Sequence, residues 1–142
     1  MRKFLLDTNV LLDFFEASRP EHRTAVDLMT ALFGRGAEIC VAATSLKDIY
    51  YLLTRHANEA AARRCVNTLI RTTTVLAVDA LICQDAAADA EPDFEDGIIL
   101  ACAARADVDA IVTRDQAAFA QATKTTPAAL LARFVCDSGE DK

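Results

Sequence analysis

Four aspartates of this 142-residue chain sit where an apolar, β-prone run gives way to polar or helical sequence. Asp7 closes Lys3-Phe4-Leu5-Leu6, and Asp48 follows Ile39-Cys40-Val41-Ala42-Ala43-Thr44 after a short polar step. Asp96 lies in Asp93-Phe94-Glu95-Asp96-Gly97-Ile98-Ile99, at the start of an Ala-rich helical run, and Asp115 ends Ala110-Ile111-Val112-Thr113-Arg114. In an open parallel α/β sheet the carboxyl ends of the strands share one edge, and ligands bind there. Four acids delivered to that edge from distant parts of the chain would form a divalent-metal site. Mg²⁺ and Mn²⁺ are its natural occupants, because hard ions prefer carboxylate and water oxygens.

Each acid also has a plainer explanation. Ser45-Leu46-Lys47-Asp48 has the form of a capping box, with Ser45 as N-cap and an acid three residues on. Asp93 can cap the helix in which Asp96 is the third residue, Asp115 can cap a short helix after it, and Asp7 can cap whatever follows the first strand. Capping and metal binding are compatible. Crowded carboxylates raise one another's pKa values at a cost in stability, and a cation relieves that repulsion. Asp96 shares a helical face with Ile99, Leu100 and Ala103, so it belongs to a helix packed on the sheet and is preferred as a ligand. Asp93, at the cap, is a supporting or second-metal residue. Asp13 is expected to be solvated or to stand behind the ligands, and Asp85, Asp89, Asp107 and Asp109 to lie on the surface.

Positioning these acids requires strands that alternate with helices. Five β-prone runs are expected at 2–7, 38–43, 74–78, 109–113 and, weakly, 123–125. Helical sequence lies between them: Thr8–Glu16, a stretch from Pro20 stopped by Gly34 and Gly36, Ser45–His56, Asn58–Arg71, Leu81–Ala90, Pro92–Arg105, a short helix 116–120, and Pro127–Arg133. Such alternation implies right-handed crossovers and a mostly parallel sheet covered on both faces. The fold class is therefore α/β, a single three-layer domain over residues 1–136 with a mostly parallel sheet of four or five strands flanked by helices. Residues 137–142 read as a disordered tail.

An apolar content of 53% with 25% charged residues marks a globular chain. No apolar stretch approaches the roughly 18 residues needed to span a bilayer, and Asp7, Asn9 and Asp13 interrupt the N-terminal apolar run too early for a signal peptide. The expected location is the cytoplasm, with no membrane association. Five scattered cysteines, Cys40, Cys65, Cys83, Cys102 and Cys136, form no C-x-x-C pair, so reduced, buried thiols are expected. His22 and His56, the two histidines, read as surface residues. A net charge of −6 argues against a broad basic surface for nucleic acid, yet leaves room for a nuclease that recruits phosphate through a metal and a few local cations.

The string Leu5-Leu6-Asp7-Thr8-Asn9-Val10-Leu11-Leu12-Asp13 resembles the opening of PIN-domain ribonucleases, whose first metal-binding aspartate stands at the position of Asp7. Thr44-Ser45-Leu46-Lys47-Asp48-Ile49-Tyr50 is similar to their second motif, with Asp48 where many members carry Glu. Asp93 to Ala103 is similar to the third, with Gly97 where Ala is usual, and Ile111-Val112-Thr113-Arg114-Asp115 resembles the fourth. The match extends over about residues 3–134. The resemblance implies a small toxin of the VapC type, a Mg²⁺- or Mn²⁺-dependent endoribonuclease paired with a cognate antitoxin and often a homodimer. On this basis Asp7 and Asp96 hold the principal metal, and Asp48 and Asp115 complete its shell or a second ion. Thr8, Asn9, Ser45 and Thr113 orient waters or carboxylates, and Lys47 and Arg114 contact substrate phosphate. Gly97 weakens the start of its helix and lets backbone approach the site. Two rivals stand beside this. One is a metal-dependent phosphatase of small phosphoesters, although Asp7-Thr8-Asn9 lacks the second aspartate that an aspartyl-phosphate enzyme needs. The other is a non-catalytic PIN-like interaction module whose acids are caps alone.

Overall fold

The structure, a computed structural model, describes residues 2–90, 92–119 and 122–140. The chain begins with β1 (Lys3–Leu6), α1 (Thr8–Phe15), α2 (His22–Gly34) and β2 (Glu38–Ala42). It continues through α3 (Ala43–His56), α4 (Glu59–Thr72), β3 (Thr74–Leu76) and α5 (Ala80–Ala88). The remaining elements are α6 (Phe94–Ala106), β4 (Ala110–Val112), β5 (Lys124–Thr125) and α7 (Pro127–Glu140).

The five strands form one sheet in the order β3-β2-β1-β4-β5, and every neighbouring pair is parallel. Leu5 of β1 stands between Cys40 and Ile111, and Leu6 pairs with Val112. Successive strand residues face opposite ways, and both faces are apolar. Phe4, Leu6, Ile39, Val41, Ala110 and Val112 join a core with side chains of α1, α2, α3, α4 and α7. Leu5, Cys40, Ala42 and Ile111 join a second core with α5, α6 and Phe119. Burial on both faces is why the strands read as continuous apolar runs rather than as alternating ones. The result is the expected three-layer α/β domain.

Caps fix where several helices begin. The side chain of Asp7 accepts from the Thr8 amide, Asn58 from Ala61, Asp79 from Ile82 and Asp93 from Asp96. At the far end, α6 stops on Asp107 in the left-handed region, with φ 52° and ψ 53°. Gly36, at φ 68°, turns the chain from α2 into β2, a conformation that costs glycine little.

Several boundaries differ from expectation. Helix α3 starts at Ala43, after Ala42, which offers no side-chain cap, so Ser45 is not an N-cap and no capping box forms with Asp48. Ser45 is instead buried inside the helix, where its hydroxyl shares a 2.9 Å hydrogen bond with that of Thr8. Residues 116–119 form bends and a turn rather than a helix, and residue 120 lies outside the described residues. Helix α7 runs past Arg133 to Glu140, through residues 137–140 that the sequence assigned to a disordered tail; residues 141 and 142 lie outside the described residues. Among the described residues, no helix is long and apolar enough to cross a membrane.

Two smaller expectations also change. His22 is half-buried, its Nδ1 donating to the Asp13 carbonyl at 2.8 Å, whereas His56 is exposed as expected. All five cysteines are free, but Cys136 is exposed while Cys40 and Cys102 are buried.

Candidate metal centre

Strand order reverses between β1 and β4: from β1 the chain moves outward first to β2 and β3, then across to β4 and β5. The crevice at the carboxyl ends of those two central strands is the place where sheets of this kind bind ligands. Asp7 leaves β1 there, and Thr113 and Asp115 leave β4. The Asp7 amide donates to the Val112 carbonyl at 2.9 Å, extending the pairing up to the crevice itself.

The Asp7 carboxylate is held from two sides. Its Oδ1 accepts from the Thr8 amide at 2.9 Å, and its Oδ2 from the Thr113 hydroxyl at 2.8 Å. Thr113 is fully buried, and its Oγ1 in turn accepts from the Asp115 amide at 3.0 Å. One hydroxyl thus links the carboxylate of Asp7 with the backbone that carries Asp115. Oδ1 of Asp115 accepts from the amides of Ala117 and Ala118 at 3.2 and 3.3 Å. These two bonds supply the capping expected of Asp115, on a turn instead of a helix.

Asp96 enters from the opposite layer, on the first turn of α6. Burial, followed by the charges of Asp93, Asp7, Asp115 and Glu95, pushes its carboxyl up from 3.8 to about 6. Asp7 is also raised, by burial first and then by Asp115, against the opposing effect of the Thr113 and Thr8 hydrogen bonds and the Arg114 charge. These are the marks of acids gathered in one partly desolvated place. Asp93 caps α6, with its Oδ1 2.9 Å from the Asp96 amide, and remains within the field of Asp96.

Asp48 stands apart from these acids. It lies on the second turn of α3 and lines a cavity of about 420 Å³ that it shares with Asp7, Asp96, Asn9 and Glu95. Its carboxylate lies 3.3 Å from Lys47 Nζ. A larger cavity of about 1030 Å³ adjoins on the α5–α6 side, lined by Asp93, Asp96 and Asp115 together with Asp85, Asp89 and Phe119. Glu95, on the first turn of α6 beside Asp96, also lines the smaller cavity, and its adjacency to Asp96 is the sequence signal for that place.

Of the two alternatives for Asp13, solvation is excluded: it is 2% exposed and bonded by Arg114 and Arg19. Two further residues sit differently from expectation. Arg114, put forward for phosphate contact, turns its Nε to Asp13 Oδ2 at 2.6 Å. At Gly97 the close backbone approach comes from α5 rather than the site, because a Cβ there would stand 3.1 Å from the Ala86 carbonyl oxygen.

The donors suit a hard divalent ion. They are carboxylates whose mutual repulsion a cation would relieve, and Asn9 Oδ1, on the wall of the smaller cavity, is buried without a hydrogen-bond partner among the described residues. Among the described residues no three His, Cys, Asp or Glu side chains stand close enough together to hold an ion as they are placed. Mg²⁺ tolerates such an open site, since it keeps several waters and few carboxylates.

A family profile for the PIN domain matches residues 3–117, most of the chain. The chain belongs to the PIN-domain family. No curated protein matches it. Solved structures with the same PIN-domain fold include VapC20 of Mycobacterium tuberculosis, described as a sarcin-ricin loop cleaving toxin. That structure is 19% identical at a TM-score of 0.65, covering 82% of this chain and 93% of that one. A toxin–antitoxin complex from Klebsiella pneumoniae is 23% identical at a TM-score of 0.66, covering 87% and 96%. A DNA-bound VapBC of Salmonella typhimurium is 18% identical at 0.63, covering 89% and 99%. At these identities the likeness is one of fold, and the PIN domain here is matched from strand β1 to the turn beyond β4.

Proposed function

We propose that this PIN domain is a Mg²⁺- or Mn²⁺-dependent endoribonuclease, the toxin of a type II toxin–antitoxin pair acting in the cytoplasm. The observation that carries the proposal is that Asp7, Asp96 and Asp115 lie around the switch point of the sheet, with the Asp96 carboxyl raised by burial and then by its acidic neighbours. Family membership supports nuclease chemistry, and the toxin–antitoxin structures that share the fold support a cognate antitoxin and RNA as substrate.

Asp7 and Asp96 would hold the principal ion, with Asp48 and Asp115 completing its shell or serving a second, and Asp93 in support. A bound Mg²⁺ or Mn²⁺ would activate water for attack and offset the charge that builds on the scissile phosphate. Thr113 fixes the orientation of Asp7 by donating to Oδ2, and the Thr8–Ser45 hydroxyl pair ties the start of α1 to α3, which carries Asp48. Asn9 offers its buried Oδ1 to a donor in the cavity. Lys47, whose side chain is 79% exposed, would supply positive charge next to the ligands for substrate phosphates, and Arg114, paired with Asp13 but 38% exposed, would add to it. An antitoxin and a second copy of the chain are the expected protein partners.

The test is cleavage of a mixed RNA substrate with Mn²⁺ and with a chelator, beside hydrolysis of a small aryl phosphate. The proposal expects internal RNA cuts only with metal and no turnover of the phosphoester. Metal-dependent phosphoester hydrolysis without RNA cleavage would establish the phosphatase instead, and inertness towards both would favour an interaction module.

A further inference from the structure

Asp13 is a carboxylate with nowhere to shed its charge. It lies in the second turn of α1 at 2% exposure, and a charge so deeply buried persists only when it is paired. Arg114 grips both of its oxygens, with Nε 2.6 Å from Oδ2 and Nη2 3.4 Å from Oδ1, across 101 residues of sequence. Arg19 adds a longer contact, Nη1 to Oδ1 at 3.4 Å, while its Nε serves Glu16.

Arg114 is flanked by Thr113 and Asp115. From Thr113 to Phe119 the chain has no regular element, and hydrogen bonds hold it instead: Thr113 to Asp7 and Thr125, Asp115 to Thr113, Gln116 to the Thr113 carbonyl, Ala117 and Ala118 to Asp115, and Lys124 and Ala122 to the Phe119 carbonyl. The Arg114–Asp13 ion pair ties this turn to α1. Helix α1 therefore carries Asp7 as its N-cap and, less than two turns later, the anchor of the opposite wall of the crevice.

We propose that Asp13 is a positioning residue for the site, acting through Arg114 to hold the turn that presents Thr113 and Asp115 to Asp7. Catalytic relevance rests on the nuclease function proposed above, whereas the positioning itself does not. Backbone pairing sets the distance between the ends of β1 and β4; Asp13 acts beyond it, holding the turn after β4 against α1.

Backbone amide dynamics of the metal-free protein separate the two claims. In Asp13→Asn, which keeps the volume and removes the charge, order parameters at residues 114–118 are expected to fall from about 0.85 toward about 0.6, with β1 and β2 unchanged. Arg114→Gln reaches the same pair from its half-exposed end and should give the same local loss, which keeps the proposal testable if Asp13→Asn does not fold. Arg19→Gln removes the other contact to Asp13 and should leave the turn rigid. In RNA cleavage with saturating Mn²⁺, Asp13→Asn should lower kcat about ten- to a hundredfold at unchanged KM, the loss typical of an outer partner of a metal ligand. Unchanged order parameters in Asp13→Asn and Arg114→Gln would overturn the proposal. So would a loss spread equally over β1 and β2, because Asp13 would then be a pin of the whole fold. Failure of the wild-type protein to cut RNA would refute the nuclease function and leave the dynamic result to decide this proposal alone.

Discussion

At the scale of single residues, the site is defined by acids held against their own preference. Asp96 titrates near 6 because burial and the charges of Asp93, Asp7, Asp115 and Glu95 all oppose its ionisation. A carboxyl raised in this way stabilises the fold in full below its ordinary value of 3.8, and that contribution is lost as pH climbs through about 6. The metal-free protein should therefore lose thermal stability between pH 4 and pH 7, and Asp96→Asn should flatten the fall. Saturating Mn²⁺ should flatten it too, since the ion replaces the proton as the partner of the carboxylate. Melting curves across that range, with and without metal, make the comparison; a wild-type curve with no acid-side advantage would contradict it. Thr113 allows a second check. Thr113→Val keeps the shape, removes the bond to Asp7 Oδ2 and orphans the Asp115 amide, so cleavage should fall about tenfold or more.

At the scale of elements, two helices report how tightly the frame around the site is built. Asn58 caps α4 through Ala61, and Asn58→Ala should cost about 1 kcal/mol, or about 4 °C in Tm, without touching cleavage. Gly97 is a different case. An alanine there gains helix propensity worth about 1 kcal/mol but drives a methyl to 3.1–3.2 Å from the backbone and Cβ of Ala86. Overpacking of that kind costs about 1–3 kcal/mol, so Gly97→Ala should lower Tm and loosen α5 from α6; a raised Tm would show that α5 gives way freely. Most elements were legible in the sequence, because β1 to β4 each lie in a short apolar run closed by polar residues; β5, Lys124–Thr125, carries no such signal. The start of α3 was not. A serine before an amphipathic run looks the same whether it caps the helix or, like Ser45, lies buried inside it against a hydroxyl from α1. The turn after β4 misled for a similar reason: Asp115 accepts from two successive amides, as a helix cap does, with no helix beyond.

At the scale of the molecule, a parallel sheet could be inferred from alternating strands and helices, but the strand order could not, and the order is what creates the crevice. The grouping of Asp7, Asp96 and Asp115 follows from β1 lying beside β4, a contact over a hundred residues apart in sequence. For Asp13 the sequence left two alternatives open, solvent or a place behind the ligands, because the arginines that bond it, Arg114 above all, lie far from it in the chain or across a turn. A molecule of net charge −6 that concentrates carboxylates at one edge should be stabilised by a divalent cation there. With Mn²⁺ at a hundred times its dissociation constant the gain is about 2.7 kcal/mol. The gain should be absent with Na⁺ at matched ionic strength, which separates binding from screening.

The most direct test is the rate of Mn²⁺-dependent RNA cleavage by wild-type protein and by Asp7→Asn, under single-turnover conditions. Asp7 is the acid that ties β1, β4 and α1 together, and neutralising it removes a buried charge without changing shape. Cleavage by the variant should fall by more than about a hundredfold, beyond the loss seen when only an outer partner of a metal ligand is removed, while its Tm in the absence of metal holds or rises. Cleavage at the wild-type rate by a folded Asp7→Asn would contradict the assignment of this edge as the metal-dependent nuclease site.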